Sequence, residues 1–460
     1  MGIFGALTTS VAGLRAESYA LENVSGNIAN SQTTAFKRID TSFLDLIPET
    51  AASQQLAGSV TTASRSTNTV QGDVQAASVA TYMAINGSGF FSVQKPASFT
   101  DNAPAFAGVE KYTRRGDFTL DKNGYLVNGA GYYLEGIPID TTTGNVSGSA
   151  PTVLKFQNDF LAAQPTTTVN YRANLASYPL TSKHDTSVPG SELIAPGDFP
   201  TSDPTVAGTG IVIGSDKQTF IDESISGGAV TAYDVAGAPA NLQLRWAKTD
   251  SASLGGAHAD TWNLFYQVDA NATGGATAWK NAGTDFTFAA NGQPNPVVAS
   301  VTLTSATVNG VSLGSPVINF GASGLTQFAD ANGNVQVNQI QQNGFPAGQL
   351  QSVAISNNGR VVGNYSNGRN LDLAEITLAS FNGPNFLKRI DGGAFEATDE
   401  SGNALFGNSG SIVGSSLEGS NTDIADEFTK LIVTQQAYSA NTKVITTSNQ
   451  MVQDLLNVLR

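Results

Sequence analysis

Few side chains in this sequence could carry covalent or metal chemistry. There are two histidines, His184 and His258, far apart along the chain. His258-Ala259-Asp260 supplies half of a metal-binding pattern. A metal site draws on three or four convergent ligands, so a turn histidine beside a solvated carboxylate is the expected reading. Cysteine is absent, which removes disulfides, thiolate ligands and thiol nucleophiles. No G-x-S-x-G elbow, P-loop or HExxH occurs, and Gly87-Ser88-Gly89 precedes Phe90-Phe91 as a tight turn rather than opening a helix. A glycosidase needs two carboxyl groups about 5–10 Å apart, a spacing that scattered Asp and Glu do not announce. No enzyme, metal or cofactor is expected. Trp246, Trp262 and Trp279 have two readings, a carbohydrate-stacking face or a β-domain core, and the core is the expectation.

Composition narrows the class. The 460 residues exceed one ordinary core, and 48 Gly and 17 Pro suit a β-rich, turn-rich body. Only 13% of residues are charged, and the net charge is −14, which opposes binding to nucleic-acid phosphates. No 18-residue apolar run is present, so no membrane-spanning helix is predicted. The start, MGIFGALTTSVAGLRAESYAL, lacks the basic and apolar regions of a cleaved secretory signal.

What remains to be positioned is apolar periodicity at the two ends. Leu7, Leu14, Leu21 and Ile28 repeat every seven residues, with Phe4 and Val11 on a companion row continued by Ser18 and Ser25. At the other end Leu431, Tyr438, Ile445, Val452 and Leu459 form a row, with Phe428 and Leu456 beside it. Such stripes must be covered by another helix. Ser420-Asn421-Thr422-Asp423 offers the start signal, and residues 420–460 as one helix would reach roughly 60 Å. Two kinds of partner are open, one within the chain (a hairpin of the two helices, or docking of both on the globular body) and the other neighbouring chains. Stripes running to the chain ends favour the second.

Between the helices the period falls to two. Residues 72–150 and 350–419 share short alternating runs punctuated by Asn-Gly turns at Asn123-Gly124, Asn358-Gly359 and Asn367-Gly368. They flank residues 151–349, a Thr/Ala/Val-rich stretch read as an inserted outer β domain. Within it, residues 179–226 read as a long loop or a sub-lobe boundary. Residues 32–71, with the apolar patch Phe43-Leu44-Asp45-Leu46-Ile47, read as an extended connector or a passive linker. The fold class is multidomain and mainly β. Nested β domains bring residues 1–31 and 420–460 to one pole as a coiled-coil-like helical domain.

The segment NVSGNIANSQTTAFKR (23–38) resembles the signature of the bacterial flagellar rod and hook axial protein family. The matching residues are Asn27, Ile28, Ala29, Asn30, Thr33, Thr34, Phe36 and Lys37. Gly26 stands where that family usually has Asn, and Ala35 where it has Gly. The Ala35 departure implies that the backbone there does not need φ > 0, or tolerates its absence. AINGSGFFSVQ (84–94), YTRRGDFTLDKNGYLVNGAGYYLEG (112–136) and residues 417–456 look like the same family. The large insertion and residues 344–368 resemble its hook branch rather than a rod subunit.

The resemblance implies a self-polymerising subunit of a flexible tubular joint between motor rod and filament. It implies an extracellular flagellar location and export by the flagellar type III apparatus. It also implies as partners a hook-capping protein, the distal rod and hook–filament junction proteins. A secreted adhesin with helical oligomerisation ends, and a distal-rod-type protein, are the rival readings.

Overall fold

A computed structural model describes residues 3–46, 58–141, 143–156, 160–206, 210–407 and 410–458, with the side chains of Ile3 and Val458 excepted. The expected contact residue Leu459, and Ile47 of the apolar patch, lie outside the described residues. The chain divides into two compact units. One comprises Met1–Asp159 with Leu350–Arg460, and the other Phe160–Gln349.

In the first unit the two helices are α1, Ile3–Ala29, and α3, Ile424–Val458; a short α2, Lys217–Asp222, belongs to the second. The start of α3 is fixed by Asp423, whose Oδ1 accepts the amides of Ala425 (2.8 Å) and Asp426 (3.3 Å). Asp426 and Glu427 then place negative charge in the first turn, where the helix dipole favours it.

The β body of this unit interleaves both halves of the sequence. Tyr133–Pro138 pairs with Asn370–Glu375, Phe90–Thr100 with Leu378–Ser380, and Ala103–Thr113 with Ala394–Glu396. Nearer the helices, Met83–Gly87 pairs with Gly410–Gly414 and Val74–Ala76 with Ser416–Glu418. Every such ladder joins residues some 240–340 positions apart, so the N- and C-terminal arms enter the helices side by side. Met83, Ile85, Phe91, Phe118, Leu134, Val361 and Ala374 form its core. Gly124 (φ 84°) and Gly359 (φ 73°) sit at the tips of two expected Asn-Gly turns.

Residues 32–71 differ from an extended connector. Ile39–Leu46 (β1) and Ser59–Ser66 (β2) form an antiparallel ladder from Ile39↔Ser66 to Leu46↔Ser59. The alternation is weak because neither face of this ladder is buried deeply, so the sequence carries little period-two signal.

In the second unit an antiparallel sheet runs Ile211–Ile213, Thr277–Thr287, Thr261–Gln267, Pro239–Asp250, Ile225–Tyr233 in spatial order. One face packs on a second sheet built around Thr168–Ala176, through Tyr171, Leu244, Trp246, Trp262, Phe286 and Phe320. The other face is covered by Ile194, Phe199 and Phe220, which pack on Val212, Phe265 and Trp279. Within the stretch 179–226, Ile194 and Phe199 with α2 thus cover that sheet, and Ile211–Ile213 is its edge strand. All three tryptophans are core residues, and the Trp246 indole N–H donates to the Tyr171 hydroxyl at 3.0 Å. That placement removes the stacking face on which an adhesin reading would rest.

Candidate assembly surface and its polar anchor

The two terminal helices pack antiparallel within one chain. Gly13 of α1 lies against Asn441 of α3, and Asn27 lies against Glu427. A Cβ built on Gly13 would stand 2.8 Å from Asn441 Nδ2, so the close approach depends on the missing side chain. The α1 residues buried on this side are Ser10, Ala16, Ala20, Val24 and Asn27. On α3 the facing stripe alternates two heptad rows. One is Glu427, Thr434, Asn441 and Ser448, and the other contains Leu431, Ile445 and Val452.

The expected contact residues therefore divide. Leu7, Leu14, Leu21 and Ile28 are half-buried along the edge of the seam, as are Leu431, Ile445 and Val452. Phe4, Val11, Phe428, Tyr438 and Leu456 are exposed. The companion rows are turned away from the partner helix, and the closest part of the seam is made of small or polar side chains, flanked by Leu431, Ile445 and Val452. Close backbone packing accounts for this, because small residues let two helices approach as bulky ones cannot. The outward face keeps Phe4 76%, Ile432 54%, Val433 60% and Leu456 59% exposed. A helix pair that closes on Gly, Ala and Ser and keeps rows of large apolar side chains outside leaves much of its hydrophobic area uncovered.

A polar anchor fixes this pair to the β body, and the 23–38 segment supplies half of it. The Asn27 amide accepts from Ile39 N (2.9 Å) and donates to Ile39 O (2.9 Å), so it pairs with the first residue of β1 as a strand neighbour would. The same Nδ2 donates to Glu427 Oε2 at 3.0 Å. Glu427 is fully buried, and Lys430 bridges it to Asp40 (2.8 and 3.2 Å). Asn30 closes the end of α1: its Nδ2 donates to Gly26 O (2.9 Å) and its Oδ1 accepts from Thr33 Oγ1 (3.1 Å).

Residues 30–38, the elbow between α1 and β1, lie over a buried ion cluster. Lys37, with a fully buried side chain, meets Glu418 Oε1 at 2.5 Å and Val70 O at 2.7 Å. Arg114 meets the other oxygen of Glu418 at 3.0 Å, and Gly72 N donates to Oε1 at 2.9 Å. Burial pushes the Lys37 ammonium below its usual range, and contact with Glu418 opposes the shift. Asn421 completes the lock, accepting from Arg38 N (2.7 Å) and donating to Thr67 Oγ1 (3.0 Å) and Val70 O (3.2 Å). Glu418 and Arg114 carry no signal of their own in the sequence, and Asn421 stands out there only as part of a helix start. Their partners are hundreds of residues away, and no local pattern marks the pairings.

Ala35 corrects one expectation. Its φ is 54°, in the left-handed region, while its N–H donates to Glu418 O at 2.8 Å. The elbow does require φ > 0, and here an alanine meets the requirement. Ile28, Thr34 and Phe36 are half-buried around the elbow, and Ala29 is exposed.

The residues considered for catalysis do not converge. His258 Nδ1 lies 2.8 Å from Asp250, whereas Asp260 pairs with Lys248 at 2.8 Å. His184 contacts the carbonyl of Thr181.

Three family models match successive parts of the chain. The flagellar hook protein FlgE/F/G D1 domain covers residues 84–150, the flagellar basal body protein FlaE D2 domain residues 221–345, and the flagellar basal body rod FlgEFG protein C-terminal model residues 413–458. Flagellar hook protein FlgE of Rhizobium meliloti is 30% identical over 468 residues, and that of Brucella suis biovar 1 is 29% identical over 466, each covering 100% of both chains. The Salmonella typhimurium protein of the same name is 29% identical over 98% of each chain. Agreement along the whole length, with the elbow, the interleaved β body and the terminal helix pair in one molecule, means that the chain belongs to the flagellar hook protein family, as a structural subunit of the hook and not an enzyme.

Proposed function

We propose that the terminal helix pair is the assembly element of this hook subunit, and that copies polymerise by packing the outward apolar faces of α1 and α3 into the inner wall of a tube. The observation that carries this reading is the inversion of the helix pair: Gly13, Ala16 and Ala20 face inward, while Phe4, Ile432, Val433 and Leu456 face outward. Large apolar residues left outside a completed intramolecular pair gain only by covering one another between chains. The anchor at Asn27, Lys37 and Glu418 would hold the wall at a fixed angle to the β body. The second unit, with 6 basic and 13 acidic residues in Phe160–Gln349, would make the weaker, polar contacts that exchange as the tube bends.

On the same reading the subunit is exported by the flagellar type III apparatus and works outside the cell. Its neighbours are then a capping protein during growth, the distal rod below and junction proteins above. Concentrating the purified full-length chain and imaging it by electron microscopy tests the proposal. Tubes with a helical lattice are expected; discrete closed oligomers at every concentration would overturn it.

A further inference from the structure

A cavity of about 290 Å³ lies beside the elbow, walled by Thr33, Thr34, Phe36, Arg389, Gly393 and Phe395. Arg389 is its distinctive group. The guanidinium donates to Lys37 O and lies 5.3 and 5.9 Å from the ring centres of Phe36 and Phe395. Its Nε is buried with no hydrogen-bond partner, and among the described residues Arg389 forms no ion pair, even with Asp391 two residues on. Burial pushes its pKa below the usual arginine value. A half-buried cation with an orphaned buried donor is costly unless an anion completes it.

Neighbouring carboxylates are already engaged. Lys37 and Arg114 share Glu418, and Arg115, which also lines the cavity, is held by both oxygens of Asp117 at 2.7 and 2.8 Å. Four cations (Lys37, Arg114, Arg115, Arg389) thus contact only two carboxylates, Glu418 and Asp117, among the described residues, and Arg389 contacts neither. The apolar rings beside a forked donor suit a carboxylate carried on a short aliphatic stem.

We propose that this cavity is a carboxylate socket, which in the polymer receives an Asp or Glu side chain of a neighbouring copy of this chain. The proposal rests on the polymerisation reading. Glu22, Asp426 and Asp454 on the terminal helices are exposed and form no ion pair among the described residues, so the assembly element itself carries suitable donors.

Three measurements test the socket. In the unassembled full-length chain, glutarate serves as the probe and the Arg389 Nε–H resonance is the readout. A saturable shift confined to Arg389 and the cavity residues is expected, and no shift beyond that seen with chloride at equal ionic strength would overturn the site. In wild-type tubes resolved by electron cryomicroscopy, a neighbour's carboxylate is expected within about 4 Å of the guanidinium. A socket holding solvent, or a carboxylate of its own chain, would overturn the partner assignment. Arg389→Met should raise the critical concentration for tube formation about tenfold and Arg389→Lys less, because lysine keeps the charge but not the fork. If the wild type forms no tubes, the polymerisation reading fails, while the glutarate titration still decides the site.

Discussion

Asn27 and Glu427 are 400 residues apart in sequence, and their side chains meet at 3.0 Å in the interior of the molecule. The same Asn27 amide holds both backbone groups of Ile39. One side chain therefore joins α1, α3 and the first strand after the elbow, and both helix ends are oriented by a group that cannot slide.

Replacing Asn27 with Ala should destabilise the chain by about 2–4 kcal/mol, since it strands the Ile39 pair and one oxygen of the buried Glu427. Denaturant unfolding of the monomer checks this. A loss under about 0.5 kcal/mol, the scale of an ordinary surface change, would show that water replaces the amide at no cost.

The elbow makes a prediction with an internal control. Ala35→Gly relieves a left-handed alanine worth about 1–2 kcal/mol, and gives up about 0.8 for a buried methyl and about 0.5–1 in chain entropy. The variant should stay within about 1 kcal/mol of wild type. Ala20→Gly removes an equally buried methyl from the middle of α1, with no strain to relieve, and should lose about 2 kcal/mol. Equal losses at the two sites would contradict the assigned backbone.

Much of this architecture is legible in the sequence, and the exceptions share a cause. The stripe through Leu431, Ile445 and Val452 stands out because heptad spacing of large apolar residues does. The opposing seam of Ser10, Gly13, Ala16 and Ala20 has no such contrast, so the companion rows through Phe4, Val11, Phe428 and Leu456 are legible while the small residues that join the two helices within one chain are not. Likewise Trp246 and Trp262 are readable as core, whereas Ile194, Phe199 and Phe220 are spaced too irregularly to reveal the sheet they cover. The polar anchor is the least legible part. Lys37 with Glu418, and Arg38 with Asn421, are pairings created only by the nested topology.

A buried carboxylate gives a pH prediction. Glu135 has no cation partner among the described residues; Ser92 Oγ donates to it at 2.5 Å and Gln94 Nε2 at 2.6 Å. Burial raises its pKa above the ordinary 4.5, the two hydrogen bonds oppose the shift, and nearby Glu110 adds to it. A raised folded-state value means that the folded chain binds more protons than the unfolded one. This contribution to stability is therefore complete below pH 4.5 and is lost as pH rises through the elevated value. Glu135→Gln should unfold at a higher midpoint than wild type at pH 7, and the gap should close near pH 4. A gap independent of pH would show that the carboxyl is not the cause.

Deleting α3 would be an ambiguous test of assembly, because it also uncovers Ala16, Ala20 and Val24 on α1. The direct measurement is the critical concentration for tube formation by the full-length double variant Phe428→Ser/Leu456→Ser, whose side chains are exposed in the single chain at 50% and 59%. The account predicts a wild-type unfolding midpoint with a critical concentration raised at least about tenfold, since burying each side chain between copies is worth roughly 1.5–3 kcal/mol. Tubes forming at the wild-type concentration would contradict the claim that the outward face of the helix pair builds the wall.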